Sequence, residues 1–157
     1  KKLISDSKKR GLFAQYSPFE FSKDSASVFC QGIEFKQAIY FYFTKSVIQR
    51  LDLDSIQSIG TVLNQMADLS LGFFKPVKLN IDTKGVITFE SNGIACTDSS
   101  LRRSMWLEQS FTETVNKTLA GSPKKFYVDQ GYNLLFFLDE KQKLFLEKEM
   151  KFSFEKL

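Results

Sequence analysis

Two hydrophobic rhythms divide the chain. From Leu12 to Thr44, aromatic and β-branched residues crowd between breaks at Ser17-Pro18, Lys23-Asp24-Ser25 and Gln31-Gly32. Phe19 and Phe21 alternate with polar neighbours, as do Ile33 and Phe35, and Ile39, Phe41 and Phe43 share one parity. A period of two is that of a strand, so this stretch predicts three or four short antiparallel strands. Tyr40 and Tyr42 take the other parity, which makes both faces of that strand apolar or aromatic.

The rhythm changes at Asp54. A short acceptor side chain there, with Gln57 three residues on, is the pattern of a capping box. Ile56, Ile59, Val62, Leu63, Met66 and Leu69 then recur at spacings of three and four, the period of a helix, and Gly72 can supply its left-handed stop. Val77, Leu79 and Ile81 alternate again, and with Gly85 closing a turn, Val86 to Glu90 predicts the second arm of a hairpin. After the polar stretch Cys96 to Ser100, a further strand is expected over Arg102 to Leu107. Phe111, Val115 and Leu119 mark a second helix, ended by Gly121 and Pro123.

The last third reads as strands. Lys125 to Asp129 and Tyr132 to Leu138 flank Gln130-Gly131, while Leu144, Leu146, Met150, Phe152 and Phe154 share a parity that predicts a final half-buried strand. Hairpins outnumber helical crossovers. The expected fold class is therefore α+β: a mainly antiparallel sheet with two principal helices packed on one face. Residues 1–10, with five basic side chains and only Leu3 and Ile4 as core-like residues, are expected to be a basic leader, disordered or a short helix. Residues 11–157 form the expected single domain.

Composition supports this. At 157 residues, 43% hydrophobic and 25% charged, the chain suits one globular core, with 17 phenylalanines to fill it. The longest apolar runs, such as Ala38 to Phe43 and Leu134 to Leu138, are far short of the roughly 20 residues that cross a bilayer as a helix. The chain begins at Lys1, so a piece of a longer polypeptide is expected. Cys30 and Cys96 stand far apart among apolar neighbours, which suggests two buried free thiols and a reducing compartment, cytoplasmic or nuclear, with a single internal disulfide as the alternative.

Histidine is absent, which removes histidine-based triads, Cys-His nucleophiles and nearly all zinc sites. An enzyme here would work with tyrosine, lysine or carboxylates alone. The carboxylate pairs Asp52 with Asp54 and Asp139 with Glu140 read as a helix start and a turn, and no Gly-rich loop leads into a lysine-bearing helix. The Asn116-Lys117-Thr118 glycosylation pattern falls inside a predicted helix. No cofactor is expected.

Charge distribution raises a binding role. The net charge of +4 gathers in basic clusters, with Lys8, Lys9, Arg10, Arg102, Arg103, Lys124 and Lys125 as candidate nucleic-acid-binding residues. Tyr16, Trp106 or Tyr127 could offer stacking faces beside them. Tyr40, Tyr42 and Trp106 are candidate partner-interface residues, since aromatic surplus on strands must be covered within the domain or by a partner.

From Asp54 to Phe154, the order of helix, Val77 to Asp82, Gly85-Val86-Ile87-Thr88-Phe89, the polar loop Asp98-Ser99-Ser100, then helix and strands resembles one repeat of a DNA sliding clamp. The resemblance covers about two thirds of the chain and implies a ring around duplex DNA, basic helices lining the hole and partners on an outer pocket. The first helix departs from this: its polar face shows Asp54, Ser55, Gln57, Ser58, Thr61, Asn64, Gln65 and Asp68, with no lysine or arginine. The first fifty residues also have no place in one repeat, so the chain is not assigned to that family. The expected function is a non-enzymatic protein-protein interaction domain, a subunit or excised region of a larger assembly, with another protein or a second copy as partner. Nucleic-acid binding is the alternative.

Overall fold

The computed structural model describes residues 2–32, 34–49, 56–99, 109–131 and 134–154. Helices α1 (Lys2–Lys9), α2 (Pro18–Gln31) and α3 (Phe35–Phe41) and a 3-10 turn (Thr44–Ser46) come first, followed by α4 (Ile56–Leu69). Strands β1 (Pro76–Ile81), β2 (Ile87–Ser91) and β3 (Ile94–Asp98) follow, then α5 (Gln109–Lys117), β4 (Lys124–Asp129), β5 (Leu134–Asp139) and α6 (Glu140–Met150).

The class is α+β, with antiparallel sheets ordered β1-β2-β3 and β4-β5. The β4–β5 hairpin is the centre. Phe126, Val128, Leu135 and Phe137 point to one face, where α4 contributes Ile59, Val62, Leu63 and Met66 and α5 contributes Phe111 and Val115. These are the two helices that the 3.6-residue period predicts. Tyr127, Leu134, Phe136 and Leu138 point to the other face, and there Ile4, Val28, Ala38, Ile39, Leu146 and Phe154 of the remaining elements cover them. A hairpin buried on both faces explains the unbroken apolar run Leu134 to Leu138.

The strands expected between Leu12 and Thr44 are helices instead. Ser17 Oγ accepts from the Glu20 N–H at 3.3 Å and Glu20 Oε2 accepts from the Ser17 N–H at 3.0 Å, a capping box with Pro18 in the first turn. Phe21, Ser25 and Val28 then turn inward at helical spacing, while Phe19 and Phe29 stay outside. In and just after α3 the buried Ala38 and Ile39 and the half-buried Phe35, Tyr40 and Tyr42 pack on the core, with Phe35, Ala38 or Ile39, and Tyr42 at helical spacing. The final strand is likewise replaced, up to Met150, by α6. Asp139 and Gln142 form its capping box, at 2.8 and 3.0 Å, and Gln142, Phe145, Leu146 and Met150 face inward. Parity among short apolar runs misled in both places, because helical and strand periods coincide over so few residues.

Elsewhere the predicted hairpin over Val77 to Glu90 stands, extended by β3 in the stretch expected to be polar. Of the stretch expected to be a leader, Lys2–Lys9 forms a helix whose Ile4 is buried in the core. The strand expected over Arg102 to Leu107 lies outside the described residues.

Candidate functional site

Helix α4 ends on an unusual residue. The Gly72 N–H bonds to the Ala67 carbonyl at 3.1 Å and the Leu71 N–H to the Asp68 carbonyl at 3.0 Å, which closes the helix with Leu71 in the left-handed position. Its φ is 53°, a conformation that a branched side chain resists by about 1 kcal/mol and that glycine usually fills. The expected stop, Gly72, is left-handed too, one residue later. Buried Ser70 holds the corner: its Oγ donates to the Ala67 carbonyl at 2.8 Å and accepts from the Phe74 N–H at 2.9 Å.

This geometry turns apolar side chains outward. Leu71 is 56% exposed, Phe73 49% and Val77 51%, while their neighbours Leu69 and Phe74 are buried. Asn92 pins the Phe73 carbonyl at 2.9 Å, so the ring stands on fixed backbone. Three open clefts meet at Leu71. One of about 530 Å³ runs between Leu69, Gln15 and Val47–Gln49. Another, about 390 Å³, lies beside Phe73 and Leu119, and a third, about 510 Å³, beside Ala67 and Val77.

The wall of the largest cleft is an extended segment. Ile48 exchanges both backbone hydrogen bonds with Leu135 at 2.9 Å, so the backbone groups of Val47 and Gln49 face away from β5. Among the described residues neither makes a backbone hydrogen bond. Gln15 closes the other side, donating through Nε2 to the Leu69 carbonyl at 3.0 Å, and among the described residues its buried Oε1 has no hydrogen-bond partner. Lys45 at the rim is tied to Glu20.

The sequence-derived candidates fall elsewhere. Tyr40 and Tyr42 are half-buried on the side of α3 that packs inward, and the Tyr42 hydroxyl donates to Gln31 Oε1 at 2.5 Å. It is Phe41 between them that is 63% exposed. Lys8, Lys9 and Arg10 end α1, and Lys124 and Lys125 begin β4. Arg102, Arg103, Trp106 and the pair Asp52 with Asp54 lie outside the described residues. Asp139 is the cap of α6, with Glu140 in its first turn. Both cysteines are free thiols, but Cys30 is exposed, because it lies on the outward face of α2. Burial pushes the Cys96 thiol up, against a smaller opposing pull from Lys117.

Among the described residues, no three carboxylates or thiols gather closely enough to hold a metal ion, and no helix is long and apolar enough to cross a membrane. Leu71 and Phe73 carried no signal in the sequence, since apolar residues beside a helix end read as core. No family model, curated protein or solved structure matches the chain.

Proposed function

We propose that the chain is a non-enzymatic protein-interaction domain that takes up an extended apolar segment of a partner protein around Leu71. The observation that carries this reading is a strained, outward-facing leucine at the junction of three clefts. Backbone strain of this kind persists where surrounding structure enforces it, and it concentrates at ligand contacts. Phe73 and Val77 extend the apolar rim, and the outward backbone of Val47 and Gln49 offers hydrogen bonds to an added strand. Among the described residues the rim holds no activated nucleophile: the near charges are Asp68, the exposed Lys75 and the Lys45 ammonium already engaged by Glu20.

The test is selection of displayed random peptides against the purified protein, with affinities then measured on variants. Leu71→Asp and Phe73→Asp are expected to weaken the selected peptides at least about tenfold, as loss of an apolar anchor does, and Phe19→Asp to leave them unchanged. Peptides indifferent to Leu71 and Phe73, or a library without binders, would count against the reading.

A further inference from the structure

The capping box of α6 gathers the basic clusters of the chain. Gln142 Nε2 donates to the carbonyl of Arg10 at 2.6 Å, which docks the end of α1 on the first turn of α6. Asp139, the other half of the box, has Lys124 as its cross-strand partner, and Lys125 pairs with Leu138 beside it. Lys8, Lys9 and Arg10 therefore stand at the same end of the β4–β5 hairpin as Lys124 and Lys125. Lys141 joins them from the exposed side of α6.

Of the carboxylates at this end, Asp6 is half-buried on α1, and Asp139, Glu140 and Glu147 are engaged within the fold. Asp139 caps α6. Glu140 and Glu147 flank Lys143 at 3.9 and 3.8 Å, and the Lys143 ammonium lies over the Tyr127 ring at 5.2 Å. None of Lys8, Lys9, Arg10, Lys124, Lys125 and Lys141 is in an ion pair among the described residues. The Arg10 guanidinium is instead held over the Phe145 ring at 4.4 Å, and Lys8 over Phe21 at 4.4 Å. Like charges held together create a local positive potential, which a polyanion relieves by releasing its counterions.

We infer that this end of the molecule binds the phosphate backbone of duplex nucleic acid without reading its sequence. The rings beneath these cations, Tyr127, Phe145 and the half-buried Phe21, are covered by Lys143, Arg10 and Lys8, which favours a duplex over single strands. Membrane binding wants apolar side chains inserting beside the cations, and of the exposed large apolar residues only Leu144 belongs to α6. None of the six cations lines the Leu71 clefts, so either reading can fail without the other.

The experiment is equilibrium binding of a labelled mixed-sequence DNA duplex at about 50 mM and about 200 mM salt. The expected result is binding that weakens steeply with salt, with a log-log slope of roughly −5 for the six cations on a duplex. Replacing Lys8, Lys9, Lys124 and Lys125 by glutamine should make that slope shallower by roughly 3 to 4, with the circular dichroism of the fold unchanged. The control Lys23→Gln with Lys84→Gln, exposed lysines on α2 and on the β1–β2 turn, should leave it unaltered. Absence of binding at low salt overturns the inference, as does equal loss in the control. So does equal affinity for single-stranded DNA or for phosphatidylserine vesicles.

Discussion

Asn116 on α5 satisfies both backbone hydrogen-bonding groups of Phe126 in β4: its Nδ2 donates to the Phe126 carbonyl at 2.9 Å, and its Oδ1 accepts from the Phe126 N–H at 2.8 Å. One amide thereby closes the outer edge of β4 at a fully buried residue. Asn116→Ala leaves a buried donor and acceptor unpaired and is expected to cost about 2 to 4 kcal/mol, measured by urea unfolding. The same commitment, with Thr118 buried, leaves the Asn116-Lys117-Thr118 pattern without a reachable glycan acceptor in the folded chain.

Leu71→Gly separates strain from recognition. Glycine adopts the left-handed backbone freely, a gain of about 1 kcal/mol, offset by roughly 0.5 to 1 kcal/mol of extra unfolded-chain entropy. Stability by thermal unfolding should therefore stay level or rise slightly, while affinity for peptides selected on the wild type falls. A large loss of stability would mean that the leucine side chain supports the fold instead.

Helix α2 should respond to acid. The Lys45 ammonium, and then the Ser17 backbone and side chain, hold the Glu20 carboxyl down at about 2 against its ordinary 4.5. A lowered folded value means that the unfolded chain takes up the proton first. The contribution is present above about pH 4.5 and is lost as pH falls toward 2. The pair is exposed, so the effect is modest and fades in salt. Helicity followed by circular dichroism should fall over that window, and Glu20→Gln should be low throughout it.

Tyr16 predicts the alkaline limit. Burial is the main reason that its phenol rises to about 12 from 10, opposed by the Lys45 N–H that donates to its oxygen at 2.7 Å. A raised folded value contributes stability below pH 10 that is lost as pH climbs from there toward 12. Tyrosinate absorbance should show this ring ionising together with unfolding, and Tyr16→Phe should remove that portion of the alkaline loss.

Gln142 is the tie between the basic leader and the rest. Gln142→Met keeps the volume but removes the bond to the Arg10 carbonyl and half of the α6 capping box. A loss of about 1 to 3 kcal/mol is expected, with hydrogen exchange accelerating first in α1. Unchanged protection of Lys2–Lys9 would show that side-chain packing, chiefly of Leu3 and Ile4, anchors that helix without the Gln142 bond.

Local signals were legible where they extended far enough. Helix α4 declares itself through apolar spacing sustained from Ile56 to Leu69, and the β1–β2 hairpin through alternation around Gly85. The capping boxes at Ser17 with Glu20 and at Asp139 with Gln142 were equally present in the chain, and they outrank the apparent parity of Phe19 with Phe21 and of Leu144 with Leu146. Of the candidate site residues, Lys8, Lys9, Arg10, Lys124 and Lys125 were readable as charge clusters, but their meeting was not. It depends on the Gln142 bond to Arg10, which joins residues far apart in sequence.

By itself, the sequence determined the α+β class, the helices α4 and α5, and the antiparallel hairpins, because each rests on periodicity and turn chemistry within a dozen or so residues. Only the tertiary structure decided which apolar residues stay outside. Leu69 and Phe74 are covered while Leu71 and Phe73 are not, and although Leu69 follows the helical period, nothing local separates Phe73 from Phe74. Burial is set by which distant elements arrive to cover a side chain, and the covering here comes from β2, β4, β5 and α5, which reach this corner only in the folded chain.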